Sequence, residues 1–312
     1  MKIGIALSGG GVRGAAHIGV LKALHEAGIK IDMISGTSAG AIVAALYAIG
    51  HDVLEIERIF MDIARDNRKF RYPLSSFISR FDNELIDVDL VGLSLFLMHT
   101  IFNHSKDFSG LLYGNKLENI IRACCEKKGK LKFKDALMPL AIPAVDIHTA
   151  ETVMFTNVKI DGCCLNDVEI AHAVRASSSF PVVFKPKRIG NRLLVDGGIG
   201  DNIPVAILER MGAEFVIAID LGYDGPARED IHNIFDISQQ AINILTYRLA
   251  QYQVSSASYI IAPKILNVSL LDTTKIQYCI EQGYEATRES IKHLKQTLKD
   301  KEQKMFTAKV SL

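Results

Sequence analysis

Short apolar runs alternate with longer amphipathic stretches along most of the chain. Lys2 to Leu7, Ile31 to Ile34, Leu140 to His148, Thr152 to Asn157, Arg192 to Val195, Phe215 to Leu221 and Tyr259 to Ala262 have the length and β-branched content of strands. Helical periodicity runs over Ala15 to Ala27, Ala39 to Ala48, Asp52 to Arg65, Gly114 to about Lys127, Asn166 to Ala176, Ile231 to Ala257 and Thr273 to Lys299, and Asn202-Ile203-Pro204 starts one more helix. Asn166 is the expected cap of its helix, with Asp167 and Glu169 in the first turn. This alternation predicts an α/β fold: a three-layer α/β/α arrangement with a mostly parallel central sheet covered on both faces. Nothing divides residues 1–300, which are expected to form one domain, and residues 301–312 read as a charged tail.

The pattern breaks between residues 66 and 113. Basic and aromatic positions (Arg68, Lys69, Phe70, Arg71, Tyr72) precede an apolar stretch from Val88 to Phe102 that is interrupted by Asp89, Gly92 and His99. Such a stretch is too short to span a bilayer. It is readable either as a lid or insertion touching lipid or as a helix packed on the core.

Composition narrows the class. A 48% hydrophobic content can build a large core. The 36 Lys and Arg against 35 Asp and Glu leave a formal charge of +1, so no general attraction to nucleic acid is expected. The five cysteines fall as Cys124-Cys125, Cys163-Cys164 and Cys279, which is neither a disulfide framework nor a zinc-ligand spacing. That points to packing roles, a reducing compartment and no metal. Only Ile3 to Leu7 precede the first glycine run after Lys2, too few for a signal-peptide core, so a cytoplasmic location is expected.

Two glycine motifs carry candidate chemistry. Gly36-Thr37-Ser38-Ala39-Gly40 lies between a strand and a helix, where a G-x-S-x-G sequence can hold the serine in a strained turn over the sheet edge. The competing reading is an ordinary turn in which Ser38 caps the following helix. Gly9-Gly10-Gly11-Val12-Arg13-Gly14 follows the first strand. It fits G-x-G-x-x-G, but the acidic residue a dinucleotide needs at the end of the second strand is missing, since Asp32 lies at that strand's start. If the first two strands are neighbours, the amides of Gly10, Gly11 and Val12 could instead receive an oxyanion above Ser38. Arg13 either orients that loop through a carbonyl or is a solvated charge.

A serine hydroxyl needs a base. His232 and His293 alone among the histidines follow the best acid candidate, and neither sits on a loop at the expected sheet edge. Asp196, directly after a strand and before Gly197-Gly198, could reach the serine itself, or could belong to a simple Asp-Gly turn.

The set Gly9 to Gly14, Gly36 to Gly40, Ala176-Ser177-Ser178-Ser179-Phe180-Pro181 and Asp196-Gly197-Gly198, in this order, resembles the patatin-like phospholipase family. The resemblance covers about residues 1–50 and 114–222, not 66–113. It implies a serine acyl hydrolase of lipid acyl esters with a Ser-Asp dyad and no cofactor or metal. Ser38 would be the nucleophile and Asp196 the base, with Gly9, Gly10, Gly11, Val12, Arg13 and Gly14 forming the oxyanion hole. Lipid would be the partner, with transient membrane-surface contact. An esterase of small soluble esters and a non-hydrolytic lipid-binding regulator are the alternatives.

Overall fold

Side chains of the central strands alternate between two apolar layers, and that period of two produces the three-layer architecture. The computed structural model of the chain describes residues 1–69, 113–160, 164–222, 231 and 234–310. In β1 (Ile3–Leu7), Ile5 and Leu7 enter the larger buried cluster while Ala6 enters the smaller one. The larger cluster is closed by α1 (Ala16–Glu26), by α2 (Ala39–Ala48) behind β2 (Met33–Gly36), and by α3 (Val53–Lys69) and α4 (Asn115–Lys128). Strands β3 (Leu140–Asp146), β4 (Thr152–Thr156) and β5 (Cys164–Leu165) follow, then α5 (Ile170–Ser177), β6 (Lys187–Ile189) and β7 (Arg192–Asp196). The smaller cluster lies under α6 (Val205–Arg210) and, after β8 (Phe215–Ile219), under Ala250 of α7 (Ile234–Gln253). β9 (Tyr259–Ile261) and α8 (Ile276–Val310) close the fold.

The described strands form one sheet in the order β5-β4-β3-β2-β1-β8-β9, with β7 on β3 and β6 on β7. It is mixed: β1 pairs in parallel with β2 and β8, β2 with β3, and β8 with β9, whereas β3 is antiparallel to β4 and β7. The fork on β3 positions the site. β4 holds one edge of β3 from Ala141 to Val145, so the other edge must be shared. β2 takes its beginning, Ser35 opposite Ala141, and β7 takes its end, Asp196 opposite Ala144. Running in opposite senses along one edge, β2 and β7 end facing each other. The chain leaving β2 toward Ser38 therefore meets the chain leaving β7 at Asp196.

Several boundaries differ from those the sequence suggests. β2 is displaced to Met33–Gly36 because its pairing with β1 and β3, rather than its apolar content, sets its ends. α5 starts at Ile170, not near Asn166, and Asp167 lies outside it in an ion pair with Lys132 at 2.6 Å. α8 continues to Val310 where a tail is expected from residue 301. β5, β6 and the 3-10 turn Gly197–Ile199 are not foreseen at all. The stretch from Val88 to Phe102 lies outside the described residues.

Candidate active site

Ser38 sits between β2 and α2 at φ 53° and ψ −116°, a positive φ that only four non-glycine described residues adopt. Its side chain makes no capping hydrogen bond to α2, so the cap reading fails. The flanking glycines are required by close approach: a Cβ on Gly36 would collide with the Gly40 carbonyl, and one on Gly40 with the Leu7 carbonyl. The turn is held from outside by three bonds, one of them from Thr37 N–H to the Leu7 carbonyl at 3.0 Å. Ser38 N–H donates to Ser177 Oγ at 3.0 Å, and Thr37 Oγ1 donates to the Asp201 carbonyl at 2.7 Å.

Asp196 is 2% exposed at the end of β7. Its amide donates to the Ser179 carbonyl at 3.0 Å and its Oδ1 accepts from Gly198 N–H at 2.8 Å. Burial raises its pKa to about 7 against the opposing pull of the Gly198 N–H and of the Ser38 hydroxyl, which acts on the carboxylate as a donor. Asp196 Oδ2 is buried without a well-formed hydrogen bond. An oxygen so placed is available to receive a proton.

The glycine loop lies beside both. The amides of Gly10 and Gly11 have no partner among the described residues. The Val12 amide, expected to join them, is instead taken by the Leu270 carbonyl at 3.0 Å, and the Gly9 amide by the Asn202 carbonyl at 3.2 Å. Gly11 has φ +57°, and a Cβ on it would come within 2.5 Å of the Leu270 carbonyl. Gly14 serves packing, since a Cβ there would strike Ala39 at the start of α2. Arg13 donates to the Gly222 carbonyl at 2.9 Å, which ties the loop to the end of β8. Asp32 of the dinucleotide reading accepts from Ile3 N–H at 2.9 Å, at the opposite end of β1 from the loop.

Sequence reasoning assigned no role to Arg175, Ser177 or Ser179. Arg175 is buried in α5 and donates to Ser179 Oγ at 2.5 Å and to the carbonyls of Tyr113 and Lys185 at 2.6 and 2.7 Å. It fixes the end of α5, whose serines hold the backbones of Ser38 and Asp196. Three serines in a row at an amphipathic helix end are the signal that could have revealed this. Of the two histidine candidates, His293 on α8 bonds Tyr259 Oη at 3.1 Å and does not line the site, and His232 lies outside the described residues.

Ser38, Asp196, Gly10 and Gly11 open into one cavity of about 840 Å³. Its walls include Ile42, Phe60, Ile63, Leu117 and Phe180, an apolar lining suited to a chain of methylenes. Among the described residues, no group of three or more His, Cys, Asp or Glu is arranged to hold a metal ion. The Cys125 and Cys279 thiols are buried and free, and burial pushes them up to about 12 and 11, as inert packing groups.

The profile described as "Patatin-like phospholipase" matches residues 5–209, which contain the glycine loop, Ser38 and Asp196. The chain belongs to the patatin-like phospholipase family. Patatin-like phospholipase domain-containing protein 7 of Rattus norvegicus is 31% identical over 70% of the chain and 14% of its own length. The neuropathy target esterase sws of Drosophila melanogaster is 30% identical over 70% of the chain and 13% of its length. An uncharacterized NTE family protein of Mycobacterium tuberculosis is 28% identical over 75% of the chain, which spans about half (53%) of that relative. Among solved structures, human GIVD cytosolic phospholipase A2 superposes with TM-score 0.49 and 11% identity over 96% of this chain and 60% of that one. VipD from Legionella pneumophila gives TM-score 0.48 and 18% identity over 94% of this chain and 67% of that one.

Proposed function

We propose that this patatin-like protein hydrolyses acyl esters of lipids through Ser38 and Asp196. The observation that carries the reading is the pairing itself: an uncapped serine at positive φ beside a buried carboxylate whose pKa is raised to about 7, at the end of an apolar cavity. A carboxylate with an ordinary pKa is too weak a base for a hydroxyl, and one near 7 is matched to neutral pH. Ser38 Oγ attacks the ester carbonyl carbon while its proton passes to the Asp196 carboxylate. The oxyanion is received by the Gly10 and Gly11 amides and by the positive end of α2. Collapse breaks the ester bond, Asp196 returns the proton to the leaving alkoxide, and an acyl group remains on Ser38. Water then attacks the acyl carbon as one of its protons passes to Asp196, and collapse breaks the Ser38 Oγ–acyl bond, releasing the fatty acid while Asp196 returns that proton to Ser38 Oγ.

The test is labelling with a fluorophosphonate followed by intact mass. One adduct on the wild-type protein and none on Ser38→Ala is expected, together with fatty-acid release from phospholipid or lysophospholipid that disappears in the same variant. No adduct on the wild type, or release that survives Ser38→Ala, would refute the reading. Faster turnover of soluble short-chain esters than of any lipid would restrict it to a general esterase.

A further inference from the structure

Helix α7 carries apolar residues on the side where a surface helix normally carries charge. Its twenty residues include two ionic ones, Asp236 and Arg248. At 3.6 residues per turn, Ile237, Ala241, Ile244, Leu245 and Tyr252 fall within an arc of about 100°. All five are exposed, Leu245 by 69% and Tyr252 by 78%. The opposite side of the same helix lines the cavity through Asn243, Thr246, Tyr247 and Ala250. α7 is thus a wall one helix thick, with the proposed acyl cavity on one side and an exposed apolar stripe on the other.

The surroundings extend this surface toward the cavity. Ile199 and Leu271 both line it and are 40% and 43% exposed. Ile199 belongs to the 3-10 turn after Asp196, which packs on α7. Gln253, at the end of α7, joins the wall to that same loop, accepting from the Asn202 and Ile203 amides and donating to the Gly200 carbonyl, each at 3.0–3.2 Å. Among the described residues, no helix is long and apolar enough to cross a bilayer.

We infer that the exposed face of α7 is the lipid-docking surface of the protein, seated in the headgroup and upper acyl region with Tyr252 at the polar boundary. The inference rests on the proposed lipid substrate, because its force comes from a shared wall: α7 lines the cavity on one side and presents the apolar stripe on the other, and Ile199, in the turn that packs on α7, is both exposed and part of the cavity lining. Arg248, the one cation of α7, is exposed on the same arc, where it would meet lipid phosphates.

The experiment uses the full chain with Ser38→Ala, so that docking is read without turnover. Partitioning onto phosphatidylcholine vesicles by flotation is expected to fall about ten-fold or more in Leu245→Ser/Tyr252→Ser, since both side chains would leave apolar surroundings. In the Ser38 background, the same pair should lower hydrolysis of vesicle lipid in parallel and leave turnover of a soluble short-chain ester unchanged, as neither residue lines the cavity. The sequence contains no tryptophan, so Tyr252→Trp provides a single reporter. Its emission should shift to the blue and be quenched by brominated lipid on vesicle addition. Unchanged partitioning in the double variant, no binding by the parent, or an unshifted reporter overturns the inference. A dimer that the double variant dissociates, with vesicle binding unaltered, overturns it in favour of self-association. Loss of dyad chemistry with docking intact would refute the proposed function and leave the docking surface standing.

Discussion

A serine at φ 53° stays there only because its surroundings permit nothing else, and at the residue scale those surroundings are few: Gly36, Gly40 and the Ser177 hydroxyl. Asp196 is under a related tension. Its carboxyl titrates near 3.8 unfolded and near 7 folded, so the folded state holds the extra proton between those values. Its contribution to stability is full below pH 3.8 and is lost as pH rises through 7. The proposed mechanism needs the opposite form, the ionised carboxylate. kcat/KM is therefore expected to rise with pH through about 7 while stability falls. Asp196→Asn removes the burial cost, of the order of a few kcal/mol, and should raise Tm at pH 8 by more than at pH 5, while activity collapses. Thermal scans at the two pH values check this, and a lower Tm at pH 8 would contradict the burial account. The glycine loop offers a second prediction at this scale. Gly11→Ala places a Cβ against Leu270 at positive φ and should displace an oxyanion donor, worth about 2.7–4 kcal/mol of transition-state stabilisation. Steady-state kinetics should show the loss in kcat, and an unaltered kcat would remove Gly11 from the site.

At the element scale the site is made by a strand pairing and a helix end. The sharing of β3 by β2 and β7 brings Ser38 toward Asp196, and the C-terminal turn of α5 clamps both backbones through Ser177 and Ser179. Ser177→Ala leaves the part-buried Ser38 amide without its acceptor, a loss of about 1 kcal/mol. It should lower kcat by about ten-fold with little change in KM, whereas an unchanged kcat would make the clamp incidental. The strands β1, β3, β4, β7, β8 and β9 were legible because their apolar runs are bounded by turn residues, and the G-x-S-x-G and Asp-Gly-Gly motifs named the two residues that meet. The fork was not legible. Nothing in Arg192 to Asp196 states that this strand pairs antiparallel with the far half of β3, because pairing partners are chosen by tertiary packing. For the same reason β5 and β6, two and three residues long, carry no pattern of their own, and Arg175 reads as an ordinary helix charge until its carbonyl partners are in place.

At the scale of the whole molecule, one face of the sheet carries the large core and the other the smaller cluster under α6 and α7, with the cavity at the strands' C-terminal edge. Chemistry assigned wholly to side chains and amides of this chain should survive excess EDTA, and loss of hydrolysis restored by a divalent ion would contradict it. Two segments far apart in sequence must then act as one unit, and a double-mutant cycle on hydrolysis reads that most directly. Ser38→Ala and Asp196→Asn are each expected to reduce kcat by several orders of magnitude in folded protein, with the double variant scarcely worse than either. Additive losses, or an Asp196→Asn variant that retains near-wild-type turnover, would contradict the account.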